Sequence, residues 1–398
     1  MMKDEERLEA KTRIQKAVDA RNDELRGLAL RIHANPELAF QEHQAVRWLT
    51  EPLKEAGFTV ETGIAGLATA FKASWSGKAG GPAIALVAEY DALPEIGHAC
   101  GHNLIGTAAV GAALALKDAF PDLPGTIEVY GSPAEEEGGG KIIMCEQGVF
   151  DQVAAAMLCH PREADMVMRG GIACVDAKFK FYGKASHASS SPEAGISALD
   201  ALVNSYVAIN GLRQFFKPDV KIHGVVSNGG IAPNIVPDYC EANFYIRAAT
   251  VKDLEGVKQK VYTAVEHCSL AVGGRCEIVE GMTYAERMDN KRMADLFKDN
   301  LGLMGIQVAA PTENGAVGSS DMGNVGQVTP IIHPYFNIGE VKPHTPEFQA
   351  AAGSEAGLAG LNRAAKAMAM TAFDLCADPD ALRQVREEFE QWKTRQSI

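Results

Sequence analysis

The sequence lacks an excess of positive charge and lacks any long hydrophobic run. Its 398 residues include 38 lysines and arginines against 51 aspartates and glutamates, and the net charge is −13. Binding to nucleic acid or to an anionic membrane surface depends on basic patches, so this balance argues against both kinds of partner. No stretch approaches the roughly 20 apolar residues that span a bilayer. The first residues, MMKDEERLEAKTRIQ, are too charged to form a secretory signal.

A paired cysteine framework is also absent. The eight cysteines are scattered along the chain, which is typical of a protein in a reducing compartment. The sequence shows no internal repeat and no low-complexity segment. A hydrophobic content of 46% in 398 residues is enough for a sizeable core and for two domains. We therefore expect a cytoplasmic globular protein of two domains.

Three apolar, strand-like runs are each followed by side chains that can bind a metal or move a proton. Residues 84–88 precede Asp91, residues 126–130 precede the run Glu135, Glu136 and Glu137, and residues 153–159 precede His160. Ligands of open α/β sheets bind outside the carboxyl ends of the strands. The pattern therefore predicts one site at which the three strand ends converge.

The densest of these segments is residues 89–103, EYDALPEIGHACGHN. It carries His98, Cys100 and His102 within a few residues, and imidazole and thiolate are ligands that zinc and similar ions prefer. Gly101 allows the backbone to fold tightly enough to direct Cys100 and His102 to one point. The alternative is a glycine-rich turn in which the histidines are coincidental.

Three adjacent carboxylates repel one another unless a cation is near. The run Glu135 to Glu137 is therefore either a solvated surface turn or part of a metal and acid–base site. The strand before it and the three glycines after it favour the site. One carboxylate can then bind metal while its neighbour accepts a proton from water.

Residues 171–286 form a complete pattern of their own. The order is strand, helix, strand, strand, helix, strand, over 172–182, 192–214, 220–227, 239–247, 251–268 and 275–282. This is the ferredoxin-like unit. We expect it to be a domain inserted into a larger α/β domain that comprises 1–170 and 287–398, with a glycine-rich loop at 313–326 and a charged, exposed C-terminal tail.

The remaining candidates are isolated polar residues. His160 ends a buried run and His344 lies between prolines, whereas His187, Asn234 and Arg247 belong to the inserted domain. Three of them have an ordinary alternative: a structural role for His160, an exposed loop position for His187, and a surface ion pair in place of an anion clamp for Arg247.

Several motifs together resemble the carboxypeptidase-G and aminoacylase family of dinuclear metallohydrolases. They are GHACGHN, PAEEEGGGK, His160, GKASHASSSPEAG, GGIAPNIVP and PHTPEF. Within that family they are most similar to the branch of auxin-conjugate amidohydrolases, aminobenzoyl-glutamate hydrolases and β-alanyl dipeptidase-like proteins. The resemblance implies a mixed-sheet, zinc-peptidase-like catalytic domain with an inserted ferredoxin-like lid and dimerisation domain.

The resemblance also implies roles for individual residues. Two divalent ions would be held by Cys100, His102, Glu136, His160 and His344. Glu135 would be the general base, Asp91 would orient a ligand, and His187 would polarise the scissile carbonyl, often across a dimer interface. Apart from the resemblance, we expect Asn234 and Arg247 of the inserted domain to bind substrate. Two positions depart from the family pattern. Asn103 stands where many members have aspartate, which concerns the groups that orient the ligands. Glu137 stands where relatives often have glycine, so the order of roles in the acidic run stays open.

We expect a homodimeric, cytoplasmic amidohydrolase that cleaves the amide of an N-acyl amino acid or dipeptide, a small-molecule substrate, with zinc, manganese or cobalt. The alternatives are hydrolysis of another C–N bond, as in an amidine, a ureido group or an aromatic amine, and a non-catalytic metal-binding protein on the same fold.

Overall fold

The computed structural model describes residues 3–310 and 318–396, and these divide into two compact units. The first unit comprises residues 3–170, 288–310 and 324–396, and the second comprises Gly171–Arg287 and Gly318–Gly323. The short segment Gly318–Gly323 joins the second unit because Ile172 N–H donates to Gly318 O, 3.3 Å away. Of the glycine-rich loop predicted at 313–326, residues 313–317 lie outside the described residues.

The first unit begins with helices and then alternates strands and helices. Its elements up to the insertion are α1 Asp4–Ala20, α2 Asn22–His33, α3 His43–Glu55, β1 Thr59–Thr62, β2 Phe71–Ser76, β3 Lys78–Glu89, α4 His102–Ala119, β4 Pro124–Ser132, α5 Gly140–Glu146, β5 Ala155–Met157 and β6 His160–Arg162. Helix α3 begins at His43. The carboxylate of Glu37 accepts the backbone N–H groups of Gln44 and Ala45, and so caps α3 from outside.

The second unit consists of β7 Ala173–Tyr182, α6 Ala198–Leu212, β8 Lys221–Asn228, β9 Tyr239–Ala248, α7 Val251–Ala271 and β10 Arg275–Tyr284. The strands form an antiparallel sheet in the order β10-β7-β9-β8, which confirms the ferredoxin-like prediction. Along β7, Val175, Phe179 and Phe181 are buried while Lys178 and Lys180 alternate with them. That period of two packs one face of the sheet against the helices.

The chain then completes the first unit. The last elements are α8 Lys291–Leu303, α9 Met322–Val328, β11 Ile331–Ile332, β12 Tyr335–Asn337, α10 Pro346–Ala352, α11 Glu355–Ala377 and α12 Pro379–Gln396. The tail predicted to be exposed is a helix, α12, and it buries Val385, Phe389 and Trp392. None of the helices in the described part of the chain combines the length and apolarity that crossing a bilayer requires.

The large sheet has the strand order β1-β2-β4-β3-β5-β11, and its centre is parallel. The inner half of β3 is buried on both faces, which explains its continuous apolar run. α4 and α11 contribute long stretches of buried alanine and leucine to the same core. The mixed α/β fold expected from the sequence is confirmed.

Candidate metal centre

The carboxyl ends of β3, β4 and β5 lie on one side of the sheet. β4 runs parallel to β3 with Ser132 opposite Glu89, and β5 runs parallel to β3 with Met157 opposite Leu86. Asp91 follows β3 by two residues, and the acidic turn, defined as residues 134–139, follows β4. The parallel register therefore brings the three predicted strand ends together.

Gly101 allows the Cys100 loop to approach His160. Its φ of 77° lies in the left-handed region, and a Cβ there would lie 2.5 Å from Cγ of Pro161. Sγ of Cys100 consequently lies 3.4 Å from Nε2 of His160. Any side chain at position 101 would force these two groups apart.

His102 and His160, which are both buried, are each held through Nδ1 and direct Nε2 toward Cys100. Nδ1 of His102 lies 2.8 Å from Oδ1 of Asp91, and Nδ1 of His160 donates to the carbonyl oxygen of Pro161 at 2.7 Å. These contacts leave Nε2 as the ligand atom of each ring. Nε2 of His102 is buried and has no hydrogen-bond partner among the described residues.

The acidic turn places Glu136 between two histidines. Its Oε1 is 3.8 Å from Nε2 of His102 and 3.5 Å from Nε2 of His344. Burial alone would raise the pKa of Glu136, but the hydrogen bond from His344 and the charge of His102 hold it below its usual value. Glu137, by contrast, is exposed, so the second of the three glutamates faces the site.

His344 reaches the site from a distant loop. Its backbone has a φ of 62°, and its N–H donates to Ala99 O at 2.9 Å, which ties this loop to the Cys100 loop. The hydrogen bond to Glu136 raises the pKa of His344.

Among the described residues of the first unit, the potential ligand atoms form three overlapping groups, each within 4.8 Å. They are Cys100 with His102 and His160, Cys100 with Glu136 and His344, and His102 with Glu135 and Glu136. Burial and the nearby Glu136 carboxylate raise the pKa of Cys100 well above its usual value, and Asp91 raises that of His102 against the effect of burial. The surroundings thus call for positive charge at these atoms, which divalent ions would supply.

Two residues next to this centre carried no role in the sequence patterns. Nζ of Lys141 lies 2.6 Å from Oε1 of Glu89, with both side chains buried, and Oε2 of Glu89 lies 3.7 Å from Nε2 of His102. Both residues belong to the motifs EYDALP and GGGK, but only the folded chain brings them together.

His98 and Asn103 are turned to other partners. His98 is buried, stacks on His33 at a ring separation of 6.3 Å, and belongs to none of the ligand groups among the described residues. Burial, aided by the charge of His102, lowers the pKa of His98 to about 3. The Asn103 amide donates to the carbonyls of Ala29 and Ala352. An aspartate at position 103 could make neither bond.

In the second unit, His187 and Asn234 are neighbours. Ala188 N–H donates to Asn234 O at 3.0 Å, and Nδ1 of His187 accepts the N–H groups of Ser189 and Ser190. The proton of the neutral ring is therefore on Nε2, and His187 is exposed. This leaves an exposed N–H donor at a loop tip.

Arg247 lies at the opposite end of the same sheet. In the pairing of β7 with β9, Tyr182 is opposite Tyr239 and Cys174 is opposite Arg247. The strand between Tyr239 and Arg247 spans roughly 26 Å at about 3.3 Å per residue. The Arg247 guanidinium donates to Oγ of Ser319 at 3.0 Å.

Comparison with known proteins identifies proteins to which the chain is similar. The model of the peptidase dimerisation domain matches residues 169–270. The chain is 40% identical over 397 residues to the Xaa-Arg dipeptidase of Mus musculus, covering 95% of this chain and 92% of the relative. It is 36% identical over 278 residues to one subunit of the p-aminobenzoyl-glutamate hydrolase of Escherichia coli, covering 65% and 57%. A Bacillus subtilis structure, described as a dinuclear metal binding peptidase from the M20 family, has the same fold, with a TM-score of 0.68, 21% identity and coverage of 89% and 99%.

Proposed function

The chain belongs to the M20 peptidase family, and we propose that it cleaves dipeptides or N-acyl amino acids at a centre of two metal ions in its first unit. It is a metal-dependent hydrolase of amide bonds, and its relatives include a dipeptidase and an aminobenzoyl-glutamate hydrolase. These relatives do not favour the alternative C–N substrates or a non-catalytic role. The mouse relative makes dipeptides with C-terminal arginine the first substrates to test.

The observation that carries this proposal is the orientation of His102 and His160. Each ring is fixed through Nδ1, and each directs Nε2 toward Cys100. Cys100 belongs to two ligand groups, one with His102 and His160 and one with Glu136 and His344. In the proposed centre these five residues would together hold two divalent ions. Thiolate favours zinc, while the carboxylate and imidazoles also accept manganese or cobalt.

Individual side chains would then have separate roles in the reaction. Bound divalent ions would polarise the scissile carbonyl and acidify the attacking water. Glu135 takes a proton from the water and passes it to the leaving amine. Asp91 keeps His102 in the tautomer that leaves Nε2 as a ligand, and it accepts the N–H of Glu136 at 3.0 Å.

The second unit contributes substrate contacts. Nε2–H of His187 suits the negative charge that develops on the carbonyl oxygen, Asn234 lies beside it, and Arg247 suits a substrate carboxylate. Because His187 and Arg247 lie at opposite ends of one sheet, one small substrate cannot use both from the same copy. We therefore assign His187 to the neighbouring subunit of a homodimer. The match to a dimerisation domain and the exposed Val225 and Val226 of the edge strand β8 support this assembly.

The eight cysteines are scattered along the chain without a paired framework, which supports a reducing compartment, and we propose the cytoplasm. The function itself is tested with purified protein and metals added one at a time. The substrate panel contains Xaa-Arg dipeptides, β-alanyl dipeptides and N-acyl amino acids, with ureido and amidine compounds for the alternative. We expect release of the free amino acid, lost on chelation and restored by one metal, with Glu135→Gln protein as the matched background. Turnover of only ureido or amidine compounds would move the function to the alternative.

A further inference from the structure

A buried carboxylate outside the ligand groups holds the start of the acidic turn. Glu42 is fully buried, and its Oε1 accepts the backbone N–H groups of Ala134 and Phe40, each at 3.0 Å. Glu42 precedes Ala134 by 92 residues and lies just before α3. The contact therefore joins two segments that only the fold brings together.

Both donors have an uncommon backbone conformation. The φ of Phe40 is 61° and that of Ala134 is 59°. A residue with a Cβ adopts this left-handed region at a cost, so the surroundings must hold it there. A single oxygen of Glu42 holds both amides.

Phe40, two residues before Glu42, also packs against the other end of the acidic turn, at Gly138. A Cβ on Gly138 would lie 2.5 Å from Cε2 of Phe40, so the ring packs directly against that glycine. Ala134 O in turn accepts the N–H of Gly139 at 2.9 Å. Residues 40 and 42 thus contact the turn at both ends.

Glu135 lies between two backbone amides that are each held by a carboxylate. Glu42 accepts the N–H of Ala134, and Asp91 accepts the N–H of Glu136. Asp91 also orients His102. The backbone on either side of Glu135 is therefore fixed relative to a ligand.

We infer that Glu42 is a positioning residue for Glu135, acting through the Ala134 amide and the Phe40 ring. The inference rests on the proposed function, since Glu42 is assigned the role of orienting Glu135, the proposed proton acceptor. A base must lie within a fraction of an ångström of its productive position. Releasing the Ala134 amide would let the turn relax and would lower kcat more than it changes KM.

The test compares Glu42→Leu, which removes the acceptor, with Glu42→Gln, whose Oε1 can accept both amides. Leu53→Ala serves as the matched control, because it removes core packing at the other end of α3. Hydrogen exchange of the peptide covering residues 134–140 reports on the turn without any reference to activity. kcat and KM are measured on the metal-loaded proteins.

We expect Glu42→Leu to speed exchange of this peptide by about tenfold or more and to lower kcat by about tenfold or more, with KM within about threefold. Glu42→Gln should stay near wild type in both, and Leu53→Ala should change neither. If Glu42→Leu does not fold, Phe40→Gly replaces it, since glycine suits the φ at position 40 and removes only the ring.

Three results would overturn the inference: unchanged exchange in Glu42→Leu, or in Phe40→Gly where it replaces that variant; unchanged kcat despite faster exchange; or an equal loss of kcat in Leu53→Ala. A wild-type protein that hydrolyses none of the substrates would instead overturn the proposed function. The exchange measurement would still decide whether Glu42 holds the turn.

Discussion

Asp91 and His102 are joined by a fully buried contact of 2.8 Å between Oδ1 and Nδ1. Burial alone would raise the pKa of Asp91, but the charge and hydrogen bond of His102 hold it below its usual value. The carboxylate therefore stays ionised and keeps a proton on Nδ1 of His102. Nε2 is left to bind an ion, which is how carboxylates orient histidine ligands in metal sites.

Asp91→Ala should weaken metal binding by about 10- to 100-fold, because His102 loses its orientation and Glu136 its backbone anchor. Competition with a chromophoric chelator measures the affinity. Asp374→Asn is the matched control, since Asp374 is a buried carboxylate paired with Lys11 at 2.8 Å, apart from the ligand groups. Equal affinities of Asp91→Ala and wild type would contradict the orienting role.

Glu135→Gln should keep both metal ions while kcat falls by about 100-fold or more, the usual scale for loss of a general base. Glu136→Gln is the matched comparison and should lose metal, because Oε1 of Glu136 lies among the imidazoles of His102 and His344. Metal analysis alongside kcat separates the two. If Glu135→Gln loses its metal and Glu136→Gln does not, the two roles are exchanged.

Cys100→Ser should bind metal much more weakly, because a protonated hydroxyl replaces a thiolate that belongs to two ligand groups. Cys159→Ser is a matched control, since Cys159 is buried but belongs to no ligand group among the described residues. Metal content after dialysis measures the difference. Full occupancy and full activity in Cys100→Ser would remove Cys100 from the site.

Glu42→Gln should change how stability depends on pH. Burial raises the pKa of Glu42 to about 7 from an ordinary 4.5. The protonated form of Glu42 stabilises the folded protein. This contribution is fully present below the pKa of the unfolded state, 4.5, and is lost as the pH rises through the pKa of the folded state, about 7. Above pH 7 the glutamine variant should therefore be more stable than wild type by roughly 3 kcal/mol, and the difference should vanish toward pH 4.5.

Denaturant unfolding of both proteins between pH 4.5 and pH 8.5 measures this difference. An equal free energy of unfolding at every pH would show that Glu42 titrates normally in the folded protein.

The parts of the fold that depend on local pattern were predictable. The alternation in β7 and the buried run in β3 indicated their strands, and the parallel register then brought Asp91 and the acidic turn to one side of the sheet. The start of α3 at His43 depends on Glu37, which caps the helix from outside it, and no local pattern marks such a cap. The C-terminal tail was misjudged because widely spaced apolar residues, Val385 and Trp392, suffice to pack α12.

The supporting residues around the centre were not predictable, because their partners are distant in sequence. Glu42 contacts Ala134, and Glu89 contacts Lys141, only in the folded chain. A lone glutamate or lysine carries no local signal of such a contact. The role of Asn103 was likewise hidden, since its two acceptors come from α2 and α10.

His187 is expected to complete the site of the neighbouring subunit. Mixing inactive His187→Ala protein with inactive Glu135→Gln protein, under conditions that exchange subunits, should restore activity. A mixed dimer would have one site with both Glu135 and a partner's His187. Random pairing makes about half the dimers mixed, so recovery should approach about a quarter of wild-type activity.

The expected recovery follows from the positions of His187 and Arg247 at opposite ends of the sheet of the second unit. β7 and β10 both connect to the rest of the chain at the end where Arg247 lies, because Cys174 is opposite both Arg247 and Tyr284. His187 is at the other end, beside Asn234, so one small substrate cannot reach both His187 and Arg247 of the same copy. Arg247→Ala mixed with Glu135→Gln is the matched comparison. If Arg247 acts within its own chain, that mixture should not recover, since each site then has one defect. Absence of recovery in the His187 mixture, with exchange verified by mass, would assign His187 to its own chain or to no catalytic role.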